Sequence, residues 1–239
     1  MNEQLYPAPY CVDNARFQKQ AEELMPRRFQ IRQEWGIPDK AYCVLFVGKF
    51  IPKKRPLDLV HAVSNGPLNR SGRLVHLLFA GSGELGPEIR RRCTVIFEKE
   101  NENWPSLRGG ISSEAEAISH PPASFVGFLN QTEISKAYVA ADCLVLPSDA
   151  RETWGLVVNE AMACGTPCIV NNACGCHEDL VDSLSDRLTF RTGDTEGLAQ
   201  SLRFLMARPF PRRILQDHVS KFSIMHTVKT AHKLYQGKT

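Results

Sequence analysis

The strongest constraint on this chain is an alternation that begins after residue 40. Short aliphatic runs bounded by Gly or Pro are separated by stretches whose apolar residues recur at helical spacing. The runs are Tyr42–Val47, Leu74–Ala80, Ser124–Val126, Cys143–Leu146, Cys168–Val170 and Leu188–Phe190. They are continuously apolar, as strands buried on both faces are. Helical spacing is read from Leu57, Val60, Ala62 and Val63, from Ile89, Cys93 and Ile96, from Ile134, Ala137, Tyr138 and Ala141, and from Leu198, Leu202, Leu205 and Met206. Gly165-Thr-Pro167 stops one helix and Asp194 precedes another. Such repetition predicts an α/β fold, a doubly wound parallel sheet with helices on both faces.

The rest of the chain is arranged around that sheet. Residues 1–40 read as an N-terminal arm, extended through PAPYCVDNARF and helical from Ala21 to Trp35. Residues 41–212 form the sheet domain, interrupted by a polar, Gly/Pro/Ser-rich insertion at 99–122, and residues 213–239 form a helical tail. A chain of 239 residues is one large domain, or one with an appendage, at roughly 150 residues per domain. It buries a core without needing disulfides or a structural metal. With 29 Lys+Arg against 26 Asp+Glu the net charge is +3, too small to mark a nucleic-acid partner. No apolar run approaches the roughly 18 residues of a membrane span, and MNEQLYPAPY lacks the regions of a signal peptide. A soluble, cytoplasmic protein is expected.

Of the eight cysteines, Cys43 and Cys143 lie in apolar runs and read as small buried hydrophobes. Cys164, Cys168, Cys174 and Cys176, followed by His177, could suggest zinc. However, Cys164 ends a helix, Cys168 starts a strand, and alternate cysteines at 174 and 176 do not have zinc-ligand spacing. No metal site is expected.

Three segments carry candidate chemistry. Gly81-Ser-Gly83-Glu-Leu-Gly86 is a literal G-x-G-x-x-G between a strand and a helix, the context of a dinucleotide site. It follows the second strand rather than the first, and no ribose-binding carboxylate ends the next strand, which favours a tight turn. Lys49, Lys53, Lys54 and Arg55 crowd the loop after the first strand, where open α/β sheets bind ligands. A solvated basic loop is the alternative. The third segment runs from Pro147 to Pro167. Gly155 opens a helix whose N–H groups near Trp154–Leu156 suit a phosphate oxygen. Glu160 sits in the otherwise apolar LVVNEAMA, where an ionised carboxylate needs either ligand hydroxyls or a neighbouring cation.

Here the chain resembles a known family. Glu152 and Glu160 match the Glu-(any seven)-Glu signature of the retaining family 4, or group 1, glycosyltransferases. VLFVGKFIPKK, LLFAGSGELGP, FVGFLNQTEISKAYVAADCLVLPS and PYCVDNARF are similar to further family segments. The match runs in order over about residues 7–237, to FSIMHTVKTAHKLYQ. The resemblance implies a Rossmann-like domain, the C-terminal half of a GT-B fold, and a nucleotide-sugar donor (UDP-, GDP- or ADP-) with no further cofactor.

The resemblance assigns roles residue by residue. Lys54 corresponds to the diphosphate-binding lysine. Lys49 stands where the family usually has arginine and lacks its two-pronged phosphate contact. Arg55, where glycine is common, partly compensates. Glu152 corresponds to the residue at the donor-sugar hydroxyls and Glu160 to the one at the ribose hydroxyls. Thr153, Trp154, Gly155 and Leu156 correspond to the backbone stretch at the sugar and diphosphate. Phe128 and Leu129 lie beside the nucleobase, and Gly81 is in the turn after the second strand. Cys174-Gly175-Cys176-His177-Glu178 aligns with a Gly-Gly-x-Pro-Glu loop.

The implied reaction is sugar transfer with retention, by front-face attack of the acceptor. Lys49, Lys54 and the helix N-terminus at Gly155 would stabilise the leaving diphosphate, and no D-x-D triplet suggests a metal. Family members are about twice this length. The expectation is therefore a donor-binding half, its acceptor-binding N-terminal domain supplied by the same gene or by a separate subunit, with residues 1–40 as a linker remnant. The other readings are a dinucleotide-dependent oxidoreductase domain, resting on Gly81, Gly83 and Gly86, and a non-catalytic nucleotide-sugar-binding module.

Overall fold

A computed structural model of the chain describes residues 9–65, 74–99 and 120–235. Most of the polar insertion, residues 100–119, lies outside them. The frame is a seven-stranded parallel sheet of β1 (Tyr42–Val47), β2 (Val75–Ala80), β3 (Thr94–Glu98), β4 (Pro122–Gly127), β5 (Cys143–Leu146), β6 (Cys168–Asn171) and β7 (Thr189–Phe190), in the order β3-β4-β2-β1-β5-β6-β7. β2, β5 and β6 are buried along their whole length, which is why their sequences are continuously apolar. Helices α3 (Pro56–Asn65), α4 (Gly86–Arg91), α5 (Ile134–Ala140) and α6 (Leu156–Ala163) connect strands, and α7 (Thr195–Ala207) follows the last one.

Two expectations needed correction. The helical spacing of Ile89, Cys93 and Ile96 does not describe one helix. α4 ends at Arg91, and Thr94–Glu98 is the edge strand β3, paired with β4. The β-branched run Thr94-Val95-Ile96 favours the pleat, and Ile96 points outward, 45% exposed. The N-terminal segment stops being extended earlier than expected. Asp13 accepts a hydrogen bond from the Arg16 N–H at 3.0 Å and starts α1 (Asn14–Leu24), ahead of Ala21. A 3₁₀ turn at Met25–Arg27, containing Pro26, then separates α1 from α2 (Arg28–Glu34).

The arm is packed into the body. Phe17, Ala21 and Ile31 belong to the same apolar core as the sheet. Arg32, only 1% exposed, donates to the carbonyls of Ala140, Pro38 and Ala41 and to the Asp142 carboxylate. Arg28 donates to the Val139 and Ala140 carbonyls and to the same carboxylate. Two guanidiniums therefore satisfy the carbonyls that end α5, where the helix dipole is negative.

The tail, α8 (Arg212–Val219) and α9 (Ile224–Tyr235), returns to the start of the chain. The Asn14 amide donates to the carbonyls of Val219 (2.9 Å) and Phe222 (3.2 Å), and Val12 bridges Ser223. Among the described residues no helix is long and apolar enough to cross a membrane.

Candidate functional site

Strand order fixes where a ligand can bind. From β1 the chain moves outward to β2, and β5 later returns to β1's other side. The order therefore reverses between β1 and β5, and the loops leaving their carboxyl ends splay apart to form a crevice. The loop after β1 holds Gly48, Lys49 and a 3₁₀ turn at Pro52–Lys54. The loop after β5 holds Pro147 to Gly155.

These two loops meet. The Asp149 N–H donates to the Lys53 carbonyl at 2.9 Å, and the Lys54 ammonium forms an ion pair with Glu152. Both charged side chains are largely sheltered, 20% and 15% exposed. Lys49 is exposed at the same edge and makes no ion pair among the described residues. Arg55 is spent elsewhere: its guanidinium grips Asp58 with two bonds of 2.7 and 3.1 Å. It is also the one non-glycine residue at positive φ, +49°, among those described. Asp149 is held by Arg151, whose hydrogen bonds lower its pKa to about 2.

Glycine is needed here for close backbone approach. A Cβ at Gly81 would stand 2.0 Å from the Gly48 carbonyl, and one at Gly83 2.6 Å from the Phe50 carbonyl. The G-x-G-x-x-G therefore seats the β1 loop against the β2 turn. The backbone face that a pyrophosphate would need is covered by residues 48–50, and α4 is only six residues long. The turn reading holds, and the oxidoreductase reading loses its support.

The crest ahead of α6 is pinned in the same way. A Cβ at Gly175 would lie 2.0 Å from the Thr153 carbonyl. The Gly175 N–H donates to the Glu152 carbonyl, and the Cys176 N–H to that of Trp154. Gly155, at φ +103°, gives α6 no side-chain cap; the Val158 N–H donates to the Gly155 carbonyl, and the N–H groups of Leu156 and Val157 are left for another acceptor. The Trp154 indole turns away from the crest, between Tyr10 (5.4 Å) and Phe222 (6.1 Å), and donates to Asn159. Thr153 and Leu156 are exposed beside the crevice.

Phe128 and Leu129 leave β4 at the same edge. Phe128 is 77% exposed, a large apolar ring open to a flat partner. Glu160, on α6, forms no ion pair among the described residues. Its Oε2 accepts a 2.6 Å hydrogen bond from the Tyr138 hydroxyl. Burial raises its pKa, opposed by the Tyr138 hydrogen bond and by the charge of Arg16. A buried glutamate signals that a partner exists. Only the packing of α5 on α6 shows that it is Tyr138.

The cysteine cluster is a packing feature. Cys164, Cys168, Cys174 and Cys176 are free and buried, and burial raises the Cys164 and Cys176 thiols to about 12. The Cys174 thiol donates to the Ser148 carbonyl. Among the described residues, no group of three or more His, Cys, Asp or Glu side chains could hold a metal ion.

Residues 41–208 match the family model described as "Glycosyl transferases group 1". The chain is 29% identical over 216 residues to the D-inositol 3-phosphate glycosyltransferase of Saccharomonospora viridis, covering 87% of this chain and 46% of that protein. It is 36% identical over 175 residues to sulfoquinovosyl transferase SQD2 of Arabidopsis thaliana, covering 70% and 32%. The chain thus spans less than half the length of these relatives. A glycosyltransferase from Rickettsia africae superposes with a TM-score of 0.67 at 14% identity, over 96% of this chain and 56% of that one. Anabaena Alr3699/HepE, solved in complex with UDP, superposes with a TM-score of 0.65 at 17% identity, over 95% and 56%. At those identities the likeness is one of fold.

Proposed function

The chain belongs to the group 1 glycosyl transferases, and on that premise we propose that it is the donor-binding half of a retaining, metal-independent enzyme. It would transfer a sugar from a nucleoside-diphosphate sugar. The observation that carries this reading is the Lys54–Glu152 pair, formed across the β1/β5 crevice beside the uncapped N-terminus of α6. A cation, a carboxylate and free N–H groups at one point are complementary to a diphosphate joined to a sugar.

In this reading the incoming diphosphate draws Lys54 away from Glu152. The lysine then faces the phosphates, and the released carboxylate accepts donor-sugar hydroxyls. Lys49, exposed at the rim, adds a second positive charge. As the sugar–phosphate bond breaks, negative charge grows on the diphosphate, and Lys54, Lys49 and the α6 dipole stabilise it. These groups supply that stabilisation without a metal. Glu152, once released, is engaged by the donor-sugar hydroxyls rather than by the anomeric carbon, so the acceptor attacks from the front face. Glu160 accepts the ribose hydroxyls, Phe128 and Leu129 flank the base, and Gly81 keeps the β2 turn close to the crevice. The acceptor binds to an N-terminal GT-B half that faces this crest, and the enzyme works in the cytoplasm.

Calorimetric titration of the 239-residue chain with UDP, GDP, ADP and NAD tests this. At least one nucleoside diphosphate should bind, and Glu160→Ala should weaken it by about 1–3 kcal/mol. Binding of NAD in preference to every diphosphate, or affinity unchanged in Glu160→Ala, would overturn it.

A further inference from the structure

Glu160 is half-buried in an apolar helix, and burial raises its pKa, while a hydrogen bond from Tyr138 and the positive charge of Arg16 work against that shift. Tyr138, fully buried on α5, donates its hydroxyl to Glu160 Oε2 at 2.6 Å. Burial and the nearby carboxylate raise the phenol's pKa well above its ordinary value, so the hydroxyl remains a donor. The tyrosine backbone is fixed as well, since its carbonyl accepts from the Thr166 hydroxyl at 2.8 Å.

Arg16 lies on α1, which packs against both α5 and α6. Its guanidinium lies 4.6 Å from the Phe17 ring and donates through Nη1 to Gln131, just beyond Leu129, at 2.9 Å. Its Nε is buried without a hydrogen-bond partner. It forms no ion pair among the described residues, and its positive charge favours the ionised form of Glu160. On α6 itself, Cys164 stays a neutral thiol, and α8 turns Arg212 to the Cys164 carbonyl rather than to Glu160.

We propose that Tyr138 and Arg16 are positioning residues for the nucleotide site. Tyr138 fixes one oxygen of Glu160 in a single orientation. Arg16 balances the carboxylate's charge, so that it meets the ribose hydroxyls ionised and already oriented. The inference rests on reading Glu160 as the ribose anchor. It makes the N-terminal arm, which lies outside residues 41–208 of the family match, a working part of the donor site. An oriented acceptor loses less rotamer freedom when the ligand binds, and an ionised one makes stronger hydrogen bonds to hydroxyls.

The test compares wild type, Tyr138→Phe, Arg16→Gln and Glu160→Gln in calorimetric titrations of the full chain. The ligands are UDP, GDP and ADP and their 2′,3′-dideoxy counterparts, each from pH 5 to 8. Tyr138→Phe keeps the buried ring, and melting curves report whether each variant is folded. Tyr138→Phe should weaken the ribonucleoside diphosphate about three- to tenfold and leave the dideoxy ligand unchanged. In wild type, affinity should fall as acid protonates Glu160. Removing either brace should move that fall to higher pH, because each lowers the carboxyl pKa. A folded Tyr138→Phe and Arg16→Gln with wild-type affinity and pH profile, beside a weakened Glu160→Gln, would overturn the brace and leave the anchor standing. Wild-type binding by Glu160→Gln would overturn the anchor itself.

Discussion

Lys54 and Glu152 show how single residues define the site. Each is largely sheltered, and each is the other's partner across the crevice. Lys54→Ala therefore leaves Glu152 sheltered without its cation while removing the charge that meets the diphosphate. Nucleoside-diphosphate affinity should fall at least tenfold, about 1.4 kcal/mol, in a calorimetric titration. Gly175 makes a different demand. Its missing side chain lets the Thr153 carbonyl approach, so Gly175→Ala must displace the crest that precedes α6. Binding should be lost well before stability is, and a melting curve run beside the titration separates the two. Lys54 is legible in sequence as part of the basic loop after the first strand, and Glu152 and Glu160 by their spacing into one helix, while the roles given to all three come from the family resemblance. Tyr138 as a partner is not legible, because its contact with Glu160 exists only once α5 and α6 are packed together.

At the scale of elements, buried polar groups hold the sheet and arm in register. The Ser124 hydroxyl donates to the Trp35 carbonyl at 2.6 Å, so His76 Nε2, 2.8 Å away, must be the donor in its bond to Ser124. That tautomer leaves Nδ1 as a buried acceptor with no partner. A proton on Nδ1 would have nothing to bond to. Burial first, then the charge of Arg32, lowers the His76 pKa to about 4. Between its unfolded value near 6.5 and about 4, the unfolded chain binds the proton and the folded chain does not. His76 should therefore remove up to about 3 kcal/mol of stability as the pH falls through that window. Denaturant titrations at several pH values should show this slope in wild type and not in His76→Gln.

Arg32 anchors the arm to the end of α5. Arg32→Met, by stranding several carbonyls and half of the Asp142 pair, should cost about 3–5 kcal/mol in the same measurement. Most strands are readable from their continuous apolar runs. β3 is not, because a short helix runs into a strand within a few residues and Ile89, Cys93 and Ile96 fit a helical period by accident. Which helix carbonyls Arg28 and Arg32 satisfy is likewise set by packing across more than 100 residues of sequence.

For the whole molecule, the parallel sheet gathers the loops after β1, β2, β4 and β5 at one edge, and the strand reversal opens a crevice there. The relatives are more than twice as long as this chain's match to them. If a donor half is what this chain supplies, it should bind nucleotide but transfer sugar poorly on its own. Mixing it with an acceptor-binding half from a relative should raise transfer, measured as release of nucleoside diphosphate. Robust transfer by the 239 residues alone would contradict that expectation.

The placement of the donor can be read directly by backbone amide NMR of the full chain, as a nucleoside diphosphate is added. The account predicts that the largest shifts fall on Lys53–Lys54, on Glu152–Leu156 and on Glu160, on both sides of the β1/β5 crevice. Shifts centred instead on Ser82–Leu85, or no saturable shifts with any of UDP, GDP or ADP, would contradict it.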